Sequence, residues 1–274
     1  MQSIALGLVA CLAGAINAVA GGGSLLTFPA LLWAGRDPIV ANATNTITLW
    51  PGSLAAALAL RRDLRGARGW LTLFVVPCVA GAVIGALLLL RTPSRVFGTM
   101  VPYLILFATA LFALQGPLTM RLARARRRRT DAKPSTATAD VGTPSRGRAM
   151  PPIGGMATVG VLLFQLAVAV YGGYFGAGIG ILTLGALGLV GFTDIHQMIG
   201  IRNVNAVWIN GVAGLCFVFA GVIRWPDAVV LTLGQVVGGY AGARLARRLT
   251  PALVRRAVVL IGLAMAGSLF FGLG

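Results

Sequence analysis

The stretch Gly21-Gly22-Gly23-Ser24-Leu25-Leu26-Thr27-Phe28-Pro29 interrupts an apolar run that begins near residue 3. Three successive glycines make a poor place to continue a helix, because each gives up the most backbone freedom on ordering. The sequence predicts a helix broken at the glycines and restarted with Ser24 as its N-cap. The N–H groups of the new first turn, with the positive end of the helix dipole, would face whatever occupies the break. An anion is the natural occupant. The same syntax returns at Gly176-Ala177-Gly178-Ile179-Gly180-Ile181-Leu182-Thr183-Leu184. Together the two stretches are expected to form one anion site. The second is not a nucleotide loop, since no Lys-Ser/Thr follows it and no βαβ unit surrounds it.

Around these stretches lies a chain of 274 residues, 57% hydrophobic and 11% charged. That composition is too apolar for a soluble domain of this size and implies a polytopic membrane protein. The net charge of +17 comes from arginines placed between apolar segments, where they mark cytoplasmic loops. No basic element has interleaved aromatics or a folded domain around it, so no nucleic-acid partner is expected. Met1-Gln2-Ser3 has no basic n-region, and a cleaved signal peptide is not expected. Cys11, Cys78 and Cys216 are scattered singly and read as packing residues. His196 is the sole histidine, which argues against a His-based metal or haem site, and no cofactor is implied.

A span needs about 20 apolar residues. Residues 3–20 nearly suffice, whereas 24–34 can cross only about half a bilayer. Arg36-Asp37-Pro38 then marks a turn. Residues 39–60 can span, but their middle reads Asn42-Ala43-Thr44-Asn45-Thr46, which must face protein, water or substrate rather than lipid. Arg61, Arg62, Arg65 and Arg68 place the next loop in the cytoplasm. Residues 69–90, with Gly81-x-x-x-Gly85 for close helix contact, and 96–115 complete a first transmembrane repeat within 1–120. Residues 121–150 hold eight arginines and a Pro/Ser/Thr/Ala-rich run, and are expected to be a disordered cytoplasmic linker. A second repeat occupies 151–274, with apolar pieces from 153, at 181–190, around Arg202, at 226–243 and at 257–273.

The duplication is legible residue by residue. Leu26-Thr27 matches Leu182-Thr183, Asn45 matches Asn203, Trp50 matches Trp208 and Thr92-Pro93 matches Thr250-Pro251, with the offset moving from 156 to 158. An internal repeat of this kind is a secondary-transporter signature. Charge also relates the halves. The arginine-rich loop at 244–256 corresponds to the poorer one at 91–95, so both halves obey the charge rule only if they are inverted. The expected fold is all-α and membrane-integral, with two pseudo-symmetric repeats of four or five transmembrane segments each. A parallel four-plus-four arrangement is the alternative, and it leaves five arginines outside.

The run Asn17 to Pro29, followed by Ala41-Asn42-Ala43-Thr44-Asn45, strongly resembles the TauE/SafE family of sulfite exporters and sulfonate-type permeases. Tyr174-Phe175-Gly176-Ala177-Gly178 with Arg202-Asn203 resembles that family's second motif. The resemblance covers nearly the whole chain apart from the linker. It implies transport of small sulfur-containing anions such as sulfite, thiosulfate or sulfonates across a bacterial cytoplasmic membrane, with no enzymatic activity. A homodimer is compatible with this reading.

The sharpest binding candidate is Arg202, since an arginine within a span costs about 2.5–3.5 kcal/mol on insertion scales and is by default functional or paired. Its planar fork suits an oxyanion. Snorkelling, or pairing with Asp194, is the competing role. The backbone set is Gly21, Gly22, Gly23, Ser24, Gly176, Gly178 and Gly180, whose small size equally suits close packing. Thr27, Asn42, Thr44, Asn45, Thr183, Asn203 and Asn205 can either bind an oxyanion or tie helices together. Asp194 and His196 are the plausible titrating pair. The alternatives to alternating access are a passive anion channel and a sulfur relay using a cysteine in the cavity.

Overall fold

The structure is a computed structural model that describes residues 2–20, 22–61, 64, 66–131, 155–190, 192, 195–245 and 251–270. The described residues form ten helices: α1 (Gln2–Ala20), α2 (Ser24–Trp33), α3 (Pro38–Ala59), α4 (Arg68–Arg91), α5 (Ser94–Asp131), α6 (Met156–Tyr174), α7 (Ile179–Val190), α8 (Ile195–Phe219), α9 (Trp225–Leu245) and α10 (Pro251–Phe270). Three described stretches, Arg68–Arg91, Ser94–Leu114 and Gln197–Phe219, are long and apolar enough to cross a membrane.

Local chemistry accounts for the boundaries. Gly35 adopts φ +74°, and the N–H of Arg36 donates to the Leu31 carbonyl at 3.1 Å, which ends α2 in a Schellman-type turn. Asp37 then caps α3 by accepting from the N–H groups of Ile39 (2.9 Å) and Val40 (3.3 Å), with Pro38 in the first helical position. The N-cap of α2 is Gly23 and no side chain caps it, so Ser24 is the first helical residue and not the cap that the sequence suggested. The donors predicted to be free are partly engaged. Leu25 and Leu26 donate to the carbonyls of Gly22 and Gly23, both at 3.0 Å, in a tight 3₁₀-like first turn. Gly22 donates to Asn17 Oδ1 at 3.1 Å.

The break also reverses the chain. A Cβ on Gly23 would lie 2.7 Å from the Ala13 carbonyl oxygen, although ten helical residues span about 15 Å. Helix α2 therefore folds back along α1. In the same way, a Cβ on Gly172 would lie 3.0 Å from Ile179. Gly22 (φ +137°), Gly176 (+83°) and Gly178 (+86°) supply the left-handed conformations these reversals require.

Four close pairings organise the rest. Helix α1 runs parallel to α9, with Gly7 against Val230 and Gly14 against Gln235. Helix α4 runs parallel to α6, and a Cβ on Gly81 would meet the Leu166 carbonyl at 2.8 Å while one on Gly85 would meet Tyr174 N at 2.7 Å. The close contact expected of Gly81-x-x-x-Gly85 is thus present. Helices α3 and α8 cross antiparallel, Trp50 facing Gly211 and Ile47 facing Gly214. Helices α5 and α10 are antiparallel as well, Tyr103 stacking edge-on to Phe270 at 4.9 Å and Thr109 abutting Gly262. One apolar cluster joins α1, α2, α5 and α10, and a second joins α4, α6, α7 and α8.

Helix α5 continues to Asp131, so the first eleven residues assigned to a linker are helical. Arginine, leucine and alanine are good helix formers, and an existing helix propagates through them without a new nucleus. The remainder of that linker, from residue 132, lies outside the described residues, as do Gly21, Asp63 and Asp194.

Candidate anion site

Both chain reversals open onto one cavity of about 700 Å³. Gly22 and Ser24 line it from the first reversal, Gly176, Gly178 and Gly180 from the second, and Arg202 and Asn203 from α8. The stretches that the sequence paired across 156 residues thus share a wall. Glycine is required here on two grounds. A Cβ on Gly22 would approach Phe112 to 2.6 Å, and the positive φ values strain any other residue.

Arg202 lies across the start of α7. A Cβ on Gly180 would come within 3.0 Å of Arg202 Cδ, so glycine at this position leaves room for the arginine stem. The guanidinium donates through Nη2 to Asn203 Oδ1 at 3.0 Å and through Nε to the same oxygen at 3.4 Å. A fixed cation thus sits beside the positive end of a helix dipole. These two sources of like sign repel each other unless an anion lies between them. A neutral amide oxygen relieves only part of that repulsion.

Several predicted residues serve a different role. The Thr27 hydroxyl donates to Asn45 Oδ1 at 2.5 Å and lies 3.2 Å from the Gly23 carbonyl, which pins the first reversal to α3. Asn42 Nδ2 donates to the Tyr174 carbonyl at 2.9 Å and so ties α3 to the end of α6. Thr44 Oγ1 accepts the Arg224 N–H at 3.1 Å. None of these four, nor Gly23, Thr183 or Asn205, is part of the described cavity wall. Both polar atoms of the Asn205 amide are buried with no hydrogen-bond partner among the described residues.

The cavity also holds residues that sequence reasoning passed over. Asn17, Thr48, Asn210 and Gln235 line it, with Gln235 Nε2 donating to Thr48 Oγ1 at 3.2 Å. A glutamine inside the apolar run 226–243 was the available signal, because an uncharged amide within a span is itself a functional cue. The described wall contains none of Cys11, Cys78 or Cys216.

A helical bundle of apolar spans around a cationic, glycine-lined cavity is the architecture of a membrane transporter. Sequence comparison gives the same class and then the family. The profile of the sulfite exporter TauE/SafE family matches residues 6–269, and the chain belongs to that family. Similar proteins include the probable membrane transporter protein ORF9 of Sinorhizobium sp, 28% identical, the match covering 97% of this chain and 94% of that one. A probable membrane transporter protein of Haemophilus influenzae is 29% identical, covering 97% and 93% of the two chains. The probable membrane transporter protein YfcA of Escherichia coli K12 is 28% identical, covering 96% and 87%. No solved structure matches the chain.

Proposed function

We propose that the protein carries small sulfur-containing anions, such as sulfite, thiosulfate or sulfonates, across the bacterial cytoplasmic membrane by alternating access. The observation that carries this reading is Arg202 lying against Gly180 at the first turn of α7, in a cavity that also reaches Gly22 and Ser24 at the first turn of α2. An oxyanion there would draw on the guanidinium fork, on the start of α7 and on the Ser24 hydroxyl.

The helix directions support two inverted repeats. Helix α1 is parallel to α9, and α3 runs the same way, since Thr44 meets Arg224 and Thr48 meets Gln235. Helix α4 turns back from α3 and is parallel to α6, so α1 and α6 point in opposite directions. The matched pairs α3/α8 and α5/α10 are antiparallel for the same reason. The turn bond from Arg36 N to the Leu31 carbonyl also has its counterpart, 156 residues on, from Phe192 N to the Leu187 carbonyl, each 3.1 Å. Inverted halves around a central site can exchange conformations and so expose the site to either side. The absence of the cysteines from the described wall favours transport over a sulfur relay.

The test is uptake of a sulfite, thiosulfate and organosulfonate panel into proteoliposomes. Saturable, counterflow-competent uptake of at least one member is expected, with loss to background in Arg202→Ala that still reconstitutes. Unsaturable flux without counterflow would favour a passive channel, and normal flux in Arg202→Ala would remove the arginine from the site.

A further inference from the structure

We infer that the cavity selects organic monoanions whose far end is uncharged and hydrogen-bonding, and that it excludes the matching zwitterions. The inference rests on the anion-transport reading above and concerns the part of the cavity away from Arg202. Helix α8 presents Arg202, Ala206 and Asn210 to the cavity at i, i+4 and i+8, which places them on one face. Along the axis Arg202 and Asn210 are about 12 Å apart. A bare oxyanion at Arg202 cannot bridge that distance, whereas an anion with an organic tail extends toward it over the Ala206 methyl group.

The far end is lined by neutral amides, those of Asn210 and Gln235. Asn210 is only 4% exposed, and its Oδ1 has no hydrogen-bond partner among the described residues. A buried amide of this kind is costly unless something bonds to it. On the facing helix, the Gln235 amide is already oriented by Thr48. These are neutral groups, and among the described lining residues Arg202 carries the sole formal charge. One anionic head therefore balances the charge of the described lining. A ligand that also bears an ammonium leaves one uncompensated positive charge in a confined site, and the amide dipoles offset only part of it. A hydroxyl, which both donates and accepts, suits a carboxamide without that penalty.

Three ligands of nearly equal size separate the cases: 2-hydroxyethanesulfonate, ethanesulfonate and 2-aminoethanesulfonate, tested at pH 7 as competitors of sulfite uptake into proteoliposomes. The expected order of potency follows that sequence, with the hydroxylated ligand at least tenfold ahead of the amine. Asn210→Asp, which adds the missing countercharge, is expected to reverse the order of the hydroxyl and amine ligands. An amine equal to or better than ethanesulfonate in the unmodified protein overturns the inference, whatever the variant does. If sulfite and ethanesulfonate compete in an Arg202-dependent way but the three sulfonates rank equally, this inference falls and the transport reading stands. If protein that reconstitutes as a monodisperse species carries neither sulfite nor any sulfonate, both fall together.

Discussion

Two helix junctions, α2 to α3 and α7 to α8, are held by opposite chemistry. Between α2 and α3, Arg36 donates from Nε to Asp227 Oδ2 at 2.7 Å, and Asp227 sits in the first turn of α9. Between α7 and α8, Phe192 packs edge-on against Trp70 at 5.5 Å, and Trp70 sits in the first turn of α4. In the proposed repeat the 156-residue offset carries Arg36 onto Phe192, and the 158-residue offset that flanks Trp70 carries it onto Ala228, the neighbour of Asp227. The first junction is thus held by an ion pair and the second by an aromatic pair. Under the inverted-repeat proposal, the two contacts face opposite sides of the membrane. Opening one hydrates charges, while opening the other exposes ring surface. An alternating-access cycle would therefore meet unlike barriers at its two ends.

That contrast can be broken by experiment. The largest effect is expected from Asp227→Ala, which leaves the partly buried Arg36 without its partner. A loss of about 3–5 kcal/mol is expected in thermal unfolding of the detergent-solubilised protein. Exchanging the pair as Arg36→Asp with Asp227→Arg should recover part of it. Raising salt should destabilise the unmodified protein at this junction and leave the Asp227→Ala variant less sensitive. Equal salt dependence in the two would end the ionic account of the first junction.

Next comes Thr27→Val, which strands the Asn45 amide in the core and is expected to cost about 1–3 kcal/mol in the same assay. The second junction answers to Phe192→Leu. Keeping the apolar bulk but removing the edge-to-face contact with Trp70 should cost about 0.5–1.5 kcal/mol, with no change in salt dependence. Arg224→Ala is expected to be the mildest. Its side chain is half exposed and adds a 3.2 Å contact to an Asp227 already held by Arg36, so the loss should stay below about 1 kcal/mol. A loss as large as that of Asp227→Ala would mean that both arginines share the carboxylate equally.

Legibility divided along similar lines. The helices around Gly21-Gly22-Gly23 and Gly176 to Gly180 were readable because glycine runs inside apolar segments leave few other options. Arg202 stood out because charge in a span is rare, but its place in the cavity wall is visible only in the structure. The Ser24 cap was misread because Gly23 reaches a helical conformation itself, φ −56° and ψ −28°, and the first turn tightens instead. Thr27, Asn42, Thr44 and Asn45 look as suitable for an anion as Asn203 does. Their partners stand 18, 132, 180 and 18 residues away, and no local pattern announces them.

By itself, then, the sequence determined that the chain is helical and that it is a membrane protein with several apolar spans. Both follow from composition and periodicity, which are properties of residues and their neighbours. Only the tertiary structure decided that α2 folds back onto α1, that Arg202 rather than Thr27 or Asn45 meets the cavity, and that Asn210 and Gln235 join it. The reason is that a polar side chain in a bundle is committed by whichever group the packing brings within about 3 Å, and that partner is set by contacts distant in the chain.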